Sequence, residues 1–598
     1  MSGIHKYLCY LQNVILSINP SHDASIAWFD ENGQVTHAIS EERLTRRKHD
    51  FVFPRKSLSW LSSEVDLSTT LIVLISGISN YESINFKILA WMFREESYVG
   101  FNGQRNYRFP PGLPLTVEKG EVWDFFRELL LKELSTFGIK AEIIFQNHHE
   151  CHAWSAIVPS GYTDGLALTL DGEGDAESGT LWKFKRLHDS YTVEKLKSFS
   201  VKNSLGYFYS AVTGRYNMKR YSHEGKITGL SAQGHEGPSL AYLRKKVRCI
   251  DGSPYIRIPE SKVFKGVSFV ASHMGFASMF PYSHTALADE AANKSLSFAE
   301  LAYSAQRILE LVVVEMLHDI HARHGGQNLV LAGGVFSNVK LNQVIAESGL
   351  VNRVYVYPNM GDGGLPIGGG YKFLSEQRKL PTSSNFNFIP YVGSDLEQLD
   401  QSFDQDSRFV VKKFREDKWI TKFVDLLAQQ HILGFIQGRM EFGPRALMNR
   451  SILASATNAN INTVLNKRLR RTEYMPFAPV IRVENLSKLF EVSKIQDLRN
   501  FEFMTMTCGV KSEYSQSMPA VVHVDGTARP QVVSEKSNYL AWRILKCYEE
   551  KTGIPCLINT SFNAHEEPIV ESVTDLTNSL MTNVIDMVAY PFSFVKVK

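Results

Sequence analysis

Two stretches decide the fold, VILSINPSHDASIAWF (residues 14–29) and GLALTLDGEGDAESGTLWKFKR (residues 165–186). In the first, the β-rich run Val14–Ile18 enters the polar turn NPSHD and leaves it as SIAWF. ENG (Glu31–Gly33) is a hairpin signal, and QVTHAIS is the next strand. In the second, GLALTLD (Gly165–Asp171) reads as a buried strand ending in an acid, GEGD as a glycine-rich turn, and SGTLWKFKR as the returning strand. The same strand–turn–strand grammar about 150 residues apart predicts a duplicated nucleotide-binding α/β fold. Solenoids repeat at roughly 20–50 residues, so this spacing excludes them.

A third element, QNLVLAGGVFSNVKLNQVIAE (residues 327–347), reads as strand, glycine turn and helix. Gly333 and Gly334 let backbone approach a ligand, and Asn338 opens a helix whose first N–H groups suit an anion or a ribose. The segment Gln377–Asp395, rich in Pro, Ser and Asn, is the linker candidate. It divides the chain near residue 385 into residues 1–385 and 386–598. With 598 residues, more than one core is required at roughly 100–200 residues per domain.

Composition narrows the function. Hydrophobic residues at 44% and charged residues at 21% are ordinary for a soluble globular protein. A net charge of +3 without a run of five like charges gives no basic arm, so nucleic acid is not an expected partner. No stretch approaches ~18 uninterrupted apolar residues, so no membrane partner is expected either. The first twenty residues lack a small-residue cleavage site and are not read as a signal peptide. Six scattered cysteines without a CxxC pair suit a reducing cytoplasm.

His148 and His152 are spaced i,i+4, which on a helix puts both imidazoles on one face. Asp362, in the glycine-rich YPNMGDGGLPIGGGY, is the candidate third ligand of a divalent metal, with iron(II), zinc and manganese all chemically reasonable. A surface helix with capped rings is the other reading of the spacing. His22, in the turn SHDAS, is a turn neighbour or a group facing phosphate or carbonyl. Asp171 and Gly172 suit a phosphate loop with a bound cation, or a plain acidic turn. Lys226, between glycines, neutralises a phosphate or is a solvated loop lysine. GRMEFGPRALMNRSILA brings Arg439, Arg445 and Arg450 into twelve positions; Lys467, Arg468, Arg470, Arg471 and Arg529 follow. Arginine recognises phosphate and carboxylate through two N–H groups at once, so this density predicts a polyanionic small molecule, with RNA as competitor. Ser561 and Asn563 add hydroxyl and amide groups after the strand PCLIN, as triphosphate or adenine contacts or as a polar loop.

Taken in order, SHDAS, ISEERLTRRKHD, HHECHA, DGEGD, GKITGLSAQG, LAGGVFSNVKLN, GRMEFGPRALMNRSILA, RTEYMPFAPV, HVDGTARPQ and NTSFNAHEEPIV resemble the ATP-dependent O-carbamoyltransferases of the NodU/CmcH type, from about residue 14 to the C-terminus. The resemblance implies an α/β protein: an actin/hexokinase-type (ASKHA, Kae1-like) first domain and a YrdC-like twisted α/β second domain. It implies that carbamoyl phosphate and ATP form carbamoyl adenylate in the second domain. The carbamoyl group then passes to a hydroxyl of a small natural product in the first. His148, His152 and Asp362 match the metal ligands, with iron(II) or another divalent ion implied, and magnesium accompanies ATP. His22 is the implied base near the transfer site. Asp171, Gly172, Lys226, Gly333, Gly334 and Asn338 would hold the adenylate. Arg439, Arg445, Lys467, Arg471, Arg529, Ser561 and Asn563 would grip carbamoyl phosphate and ATP, Lys467 and Arg529 acting on the reaction itself.

Residues 95–115 match no motif and are assigned to acceptor recognition or to a surface loop. The acceptor stays open among antibiotic, oligosaccharide and toxin-precursor hydroxyls, and the sequence leaves room for a homodimer. The competing functions are a threonylcarbamoyl-type tRNA-modifying enzyme, a non-haem iron oxygenase built on two His and one carboxylate, and an ATP-binding sensor. Net charge near zero counts against the first; the arginine cluster goes unexplained by the second.

Overall fold

The computed structural model describes residues 14–79, 92–99, 105–108, 119–259, 280–381, 389–396, 399–471 and 476–598. The boundary expected at 385 lies outside the described residues. Of residues 95–115, the described part is a two-stranded hairpin, Glu95–Val99 with Arg105–Arg108.

The duplication expected from the two openings is present. Strands β1 (Ile15–Asn19), β2 (Ser25–Phe29), β3 (Val35–Ser40), β4 (Ile72–Ser76) and β5 (Glu142–Gln146) form a sheet in the order β3-β2-β1-β4-β5. Strands β6 (Asp164–Gly174), β7 (Glu177–Arg186), β8 (Tyr191–Ser200), β9 (Asn328–Ala332) and β10 (Arg353–Val356) form another in the order β8-β7-β6-β9-β10. In each, an antiparallel three-strand meander continues into two parallel strands. Strands β1, β2 and β4 are buried along their whole length, as strands covered on both faces must be.

One turn differs from the sequence reading. GEGD is not the turn after β6: the strand continues through a register irregularity to Gly174, and the chain reverses at Asp175 and Ala176, with φ of 48° and 64°. Two left-handed residues match the twist of a tight hairpin, and aspartate tolerates that conformation.

The helices that serve the site are α1 (His148–Ser160), α2 (Glu224–Ser231), α3 (Val339–Glu347), α4 (Leu365–Glu376) and α5 (Ile461–Arg468). Helices α1 and α4 pack on each other between the sheets. Their close approach depends on the triple glycine of α4, because a Cβ at Gly368 would stand 1.7 Å from the Cys151 carbonyl oxygen. Lys226 belongs to helix α2 and is buried, rather than to a solvated loop.

The second half is built on an eight-stranded mixed sheet. Strands β11 (Phe409–Lys413), β12 (Leu433–Ile436), β13 (Arg450–Ser455), β14 (Ala478–Arg482), β15 (Gln531–Val533), β16 (Cys556–Ser561), β17 (Met587–Tyr590) and β18 (Ser593–Val597) are ordered β11-β18-β17-β12-β13-β16-β14-β15. It is stitched to the first half by buried polar contacts. Asn500 donates to the Val354 carbonyl and accepts from the Val356 N–H, and Tyr162 donates to Asp497 at 2.7 Å. Arg439 donates to the carbonyls of Thr36, Val392 and Gly393.

Candidate active site

The first centre forms where β6, α1 and the loop before α4 meet. Asn147 caps α1 by accepting from the Glu150 N–H, which starts the helix at His148. Asp175 accepts from the His148 backbone N–H and from the Asn147 amide, tying the reversal after β6 to that cap. The i,i+4 spacing then does what the sequence predicts: the Nε2 atoms of His148 and His152 lie 3.1 Å apart. Asp362 Oδ1 stands 3.5 Å from His148 Nε2 and 3.3 Å from His152 Nε2.

A fourth group joins them. Asp171 Oδ2 lies 3.0 Å from His152 Nε2 and accepts from the Gly334 N–H at 3.1 Å. Sequence reasoning placed Asp171 with the adenylate and not with the metal ligands. The bulged end of β6 turns it toward the histidines. Gly333, with φ of 102°, brings the glycine turn up against β6, where a Cβ would stand 2.3 Å from the Leu170 carbonyl oxygen. Two imidazole Nε2 atoms and two carboxylates converge with their ligand atoms within 4.8 Å of one another, a nitrogen and oxygen set that fits a divalent cation. Burial opposes charge on His148, but Asp362 and Asp171 outweigh it and raise its pKa to about 9. His149, between Thr169 and the Glu177 carbonyl, is driven well below the ordinary value by burial and is neutral.

His22 sits beside this centre, in the turn between β1 and β2. The Asn19 amide donates to the carbonyls of both His22 and Asp362, fixing the turn to the ligand loop. Burial opposes its charge, but Asp23, then Asp362 and Asp171, raise its pKa from 6.5 to about 10. Asn338 caps α3 and donates to Gln306, which also accepts from Tyr209.

The arginine-rich region divides into two kinds. Arg439 and Arg450 spend their N–H groups on backbone carbonyls, and Arg468 pairs with Asp586 at 2.6 Å; these hold the structure together. Lys467 stands exposed on the last turn of α5. Arg445 and Arg529 are different: among the described residues neither guanidinium makes a hydrogen bond or an ion pair, and the Nε of each, like that of Arg450, is buried without a partner. Burial lowers the Arg445 pKa to about 10, while burial and then Arg445 itself push Arg529 well below the usual arginine range. Arg471 lies with Thr560, Ser561 and Asn563, donating to Thr560 at 2.9 Å and Ser561 at 3.1 Å. Strand β16 therefore runs further than PCLIN and delivers Thr560 and Ser561 at its end.

The halves of the chain also meet at Lys226, which the sequence reading named, and at His223, His565, Glu566 and Lys48, which it passed over. His223, at the start of α2, pairs with Glu566 at 2.6 Å, and Lys226 Nζ lies 3.4 Å from His565 Nε2. Lys48 senses both Arg471 and Glu566, and burial leaves it below the ordinary lysine value. The motif ISEERLTRRKHD, which holds Lys48 and His49, was the available signal.

Residues 14–370 match the family model described as Carbamoyltransferase N-terminus, and residues 424–596 match Carbamoyltransferase C-terminus. The chain belongs to the carbamoyltransferase family and is a carbamoyltransferase enzyme. It is 30% identical over 593 residues to the nodulation protein NolNO of Sinorhizobium fredii, covering 98% of this chain and 80% of that one. It is 32% identical over 453 residues to NolO of Bradyrhizobium diazoefficiens, covering 75% and 78%. Among solved structures, HypF of T. kodakarensis aligns at a TM-score of 0.33 and 12% identity, over 62% of this chain and 49% of its own; likeness of that degree carries no conclusion. Among the described residues, no helix is long and apolar enough to cross a membrane.

Proposed function

We propose that the enzyme makes carbamoyl adenylate from carbamoyl phosphate and ATP in the second half of the chain and transfers the carbamoyl group to a small-molecule hydroxyl in the first. On this reading the halves are a YrdC-like domain and an actin/hexokinase-type, Kae1-like domain. The observation that carries it is the pair Arg445 and Arg529, buried close enough to repel each other and without a carboxylate partner among the described residues; Arg471, Ser561 and Asn563 are grouped at the end of β16. A protein tolerates such cations where a bound anion supplies the missing charge.

The chemistry asks for this division. Water cleaves carbamoyl phosphate to carbamate and inorganic phosphate; a carbamate oxygen then attacks the α-phosphorus of ATP, forming the mixed anhydride with AMP as pyrophosphate leaves. The acceptor oxygen then attacks the carbamoyl carbon and AMP departs. A mixed anhydride hydrolyses in water, so the route between centres has to be covered. Lys48, Lys226, His223 and His565 line the junction with groups suited to an anionic intermediate. His148, His152, Asp362 and Asp171 would hold a divalent metal, iron(II) among the candidates, which when bound supplies Lewis-acid polarisation of an oxygen of the transferring group. His22 is the candidate group for the acceptor proton; a cation placed among the neighbouring carboxylates would offset two of the charges that keep it protonated.

The test omits the acceptor. The protein is given ATP, magnesium and carbamoyl phosphate, and carbamoyl adenylate and carbamoyl-phosphate-dependent pyrophosphate are measured. Formation that is lost in Arg529→Ala but kept in His148→Ala is the expected result. Absence of both products from metal-loaded wild type overturns the proposal, and formation with threonine and bicarbonate instead would assign the threonylcarbamoyl chemistry.

A further inference from the structure

We propose that Asp23 and His49 are positioning residues for His22: the Asp23 carboxylate, shared between the Nδ1 atoms of both histidines, fixes the His22 ring and leaves its Nε2 for the carbamoyl-transfer site, while His49 fixes the carboxylate. The catalytic role of His22 itself rests on the function proposed above; the arrangement around it does not.

The geometry is that of a relay. Asp23 Oδ2 lies 3.2 Å from His22 Nδ1, and Asp23 Oδ1 lies 2.7 Å from His49 Nδ1. The two rings stack, with centroids 5.7 Å apart and planes 14° from parallel. Two imidazoles stacked face to face repel one another when charged, and the carboxylate between their Nδ1 atoms is what holds them together. A carboxylate on Nδ1 settles which nitrogen of a histidine carries its proton and which is left for chemistry.

The backbone has been bent to build this contact. Asp23 has φ of 52° and His49 has φ of 55°, a left-handed conformation uncommon outside glycine. Such residues cluster where surrounding structure over-determines them. Here the Asn19 amide donates to the carbonyls of His22 and Asp23, and Glu42 accepts from the His49 N–H at 2.8 Å. His22 and Asp23 come from the turn after β1, and His49 from the loop after the short helix Glu41–Thr45. Two separate segments each adopt a positive φ, and their side chains meet on one carboxylate. A simple surface ion pair requires neither.

The charged groups facing His22 are Asp23 on its own turn, His49 from the loop, and Asp362 and Asp171 from the neighbouring centre. Asp23→Asn removes one carboxylate without changing shape, and asparagine accepts the same backbone conformation. His49→Ala deletes the second imidazole. His49→Asn keeps an N–H near the Nδ1 position and also tolerates a positive φ.

The experiment is 15N-histidine NMR on the full-length protein loaded with zinc, with His22 assigned from the signal lost in His22→Gln. Carbamoyl-phosphate-dependent pyrophosphate release is measured on the same samples. In wild type the His22 proton is fixed on Nδ1. In Asp23→Asn the titration moves down by roughly one to three pH units, as loss of an adjacent opposite charge requires, and the tautomer is no longer fixed. His49→Ala leaves the carboxylate free to turn, so the tautomer is again not fixed, His49→Asn restores it, and pyrophosphate release stays at the wild-type rate in all three. An unmoved His22 titration in Asp23→Asn overturns the relay, as does wild-type behaviour in His49→Ala. Loss of pyrophosphate release in Asp23→Asn also overturns it, by assigning the residue to activation or to the fold. If wild type releases no pyrophosphate, the adenylate reading fails while the NMR result still decides the relay.

Discussion

Replacing Arg529 by methionine should stabilise the ligand-free protein and disable it at once. The Arg529 Nε is buried without a partner, no carboxylate among the described residues offsets its charge, and Arg445 adds like-charge repulsion. An unsatisfied buried donor costs about 1–3 kcal/mol, and an uncompensated charge adds to it. Methionine fills similar volume without either cost, so the expected gain is about 1–3 kcal/mol, read as about 2–4 °C in melting temperature per kcal/mol for a unit of a few hundred residues. The ligand response runs the other way. A charge-assisted hydrogen bond to a phosphate contributes about 1.5–3 kcal/mol, so affinity should fall by roughly 10- to 150-fold. At 100 times its dissociation constant a ligand stabilises wild type by about 2.7 kcal/mol, and most of that rise should vanish in the variant. The assay is thermal unfolding with and without carbamoyl phosphate and ATP, beside pyrophosphate release. A variant that melts below wild type when ligand-free, yet rises with ligand as wild type does, would refute the reasoning: Arg529 would then be a structural residue whose charge is satisfied without an anion.

Three further outcomes follow from the packing. Gly174→Ala would put a Cβ 2.1 Å from the His148 ring, so metal content measured by elemental analysis should fall severalfold while pyrophosphate release persists. Asn500→Ala strands the Val354 carbonyl and the Val356 N–H at the junction of the halves, and chemical denaturation should show a loss of about 1–3 kcal/mol. Burial, and then the Arg439 cation, lower the His37 pKa to about 4 from an ordinary 6.5. Its unfolded form binds a proton first, so stability it contributes above pH 6.5 is lost as pH falls toward 4. His37→Gln should therefore flatten the acid side of the stability profile over that window, seen by denaturant titration at a series of pH values.

The legible parts of the site were those carried by one local element. The i,i+4 histidines needed only a helix to meet, and Asn147 with its cap made one. The strand–glycine–helix reading at Gly333 and Asn338 held for the same reason. What sequence could not sort was the arginines. Arg439, Arg445 and Arg450 lie within twelve positions, yet Arg439 and Arg450 donate to carbonyls and Arg445 makes no hydrogen bond among the described residues. Which role each takes depends on what packs against it, and that comes from β13, β16 and the segment near residue 393.

By itself the sequence determined the duplicated α/β plan and the family, because strand alternation, turn residues and long motifs are written in consecutive positions. Tertiary structure alone decided which charges share a centre. Asn19 and Asp362 are bonded across 343 positions, Asp171 turned out to face the histidines, and His22 met His49 on one carboxylate. Electrostatics and hydrogen bonding act over a few ångströms of space, and distance along the chain does not reveal which groups the fold brings within that reach.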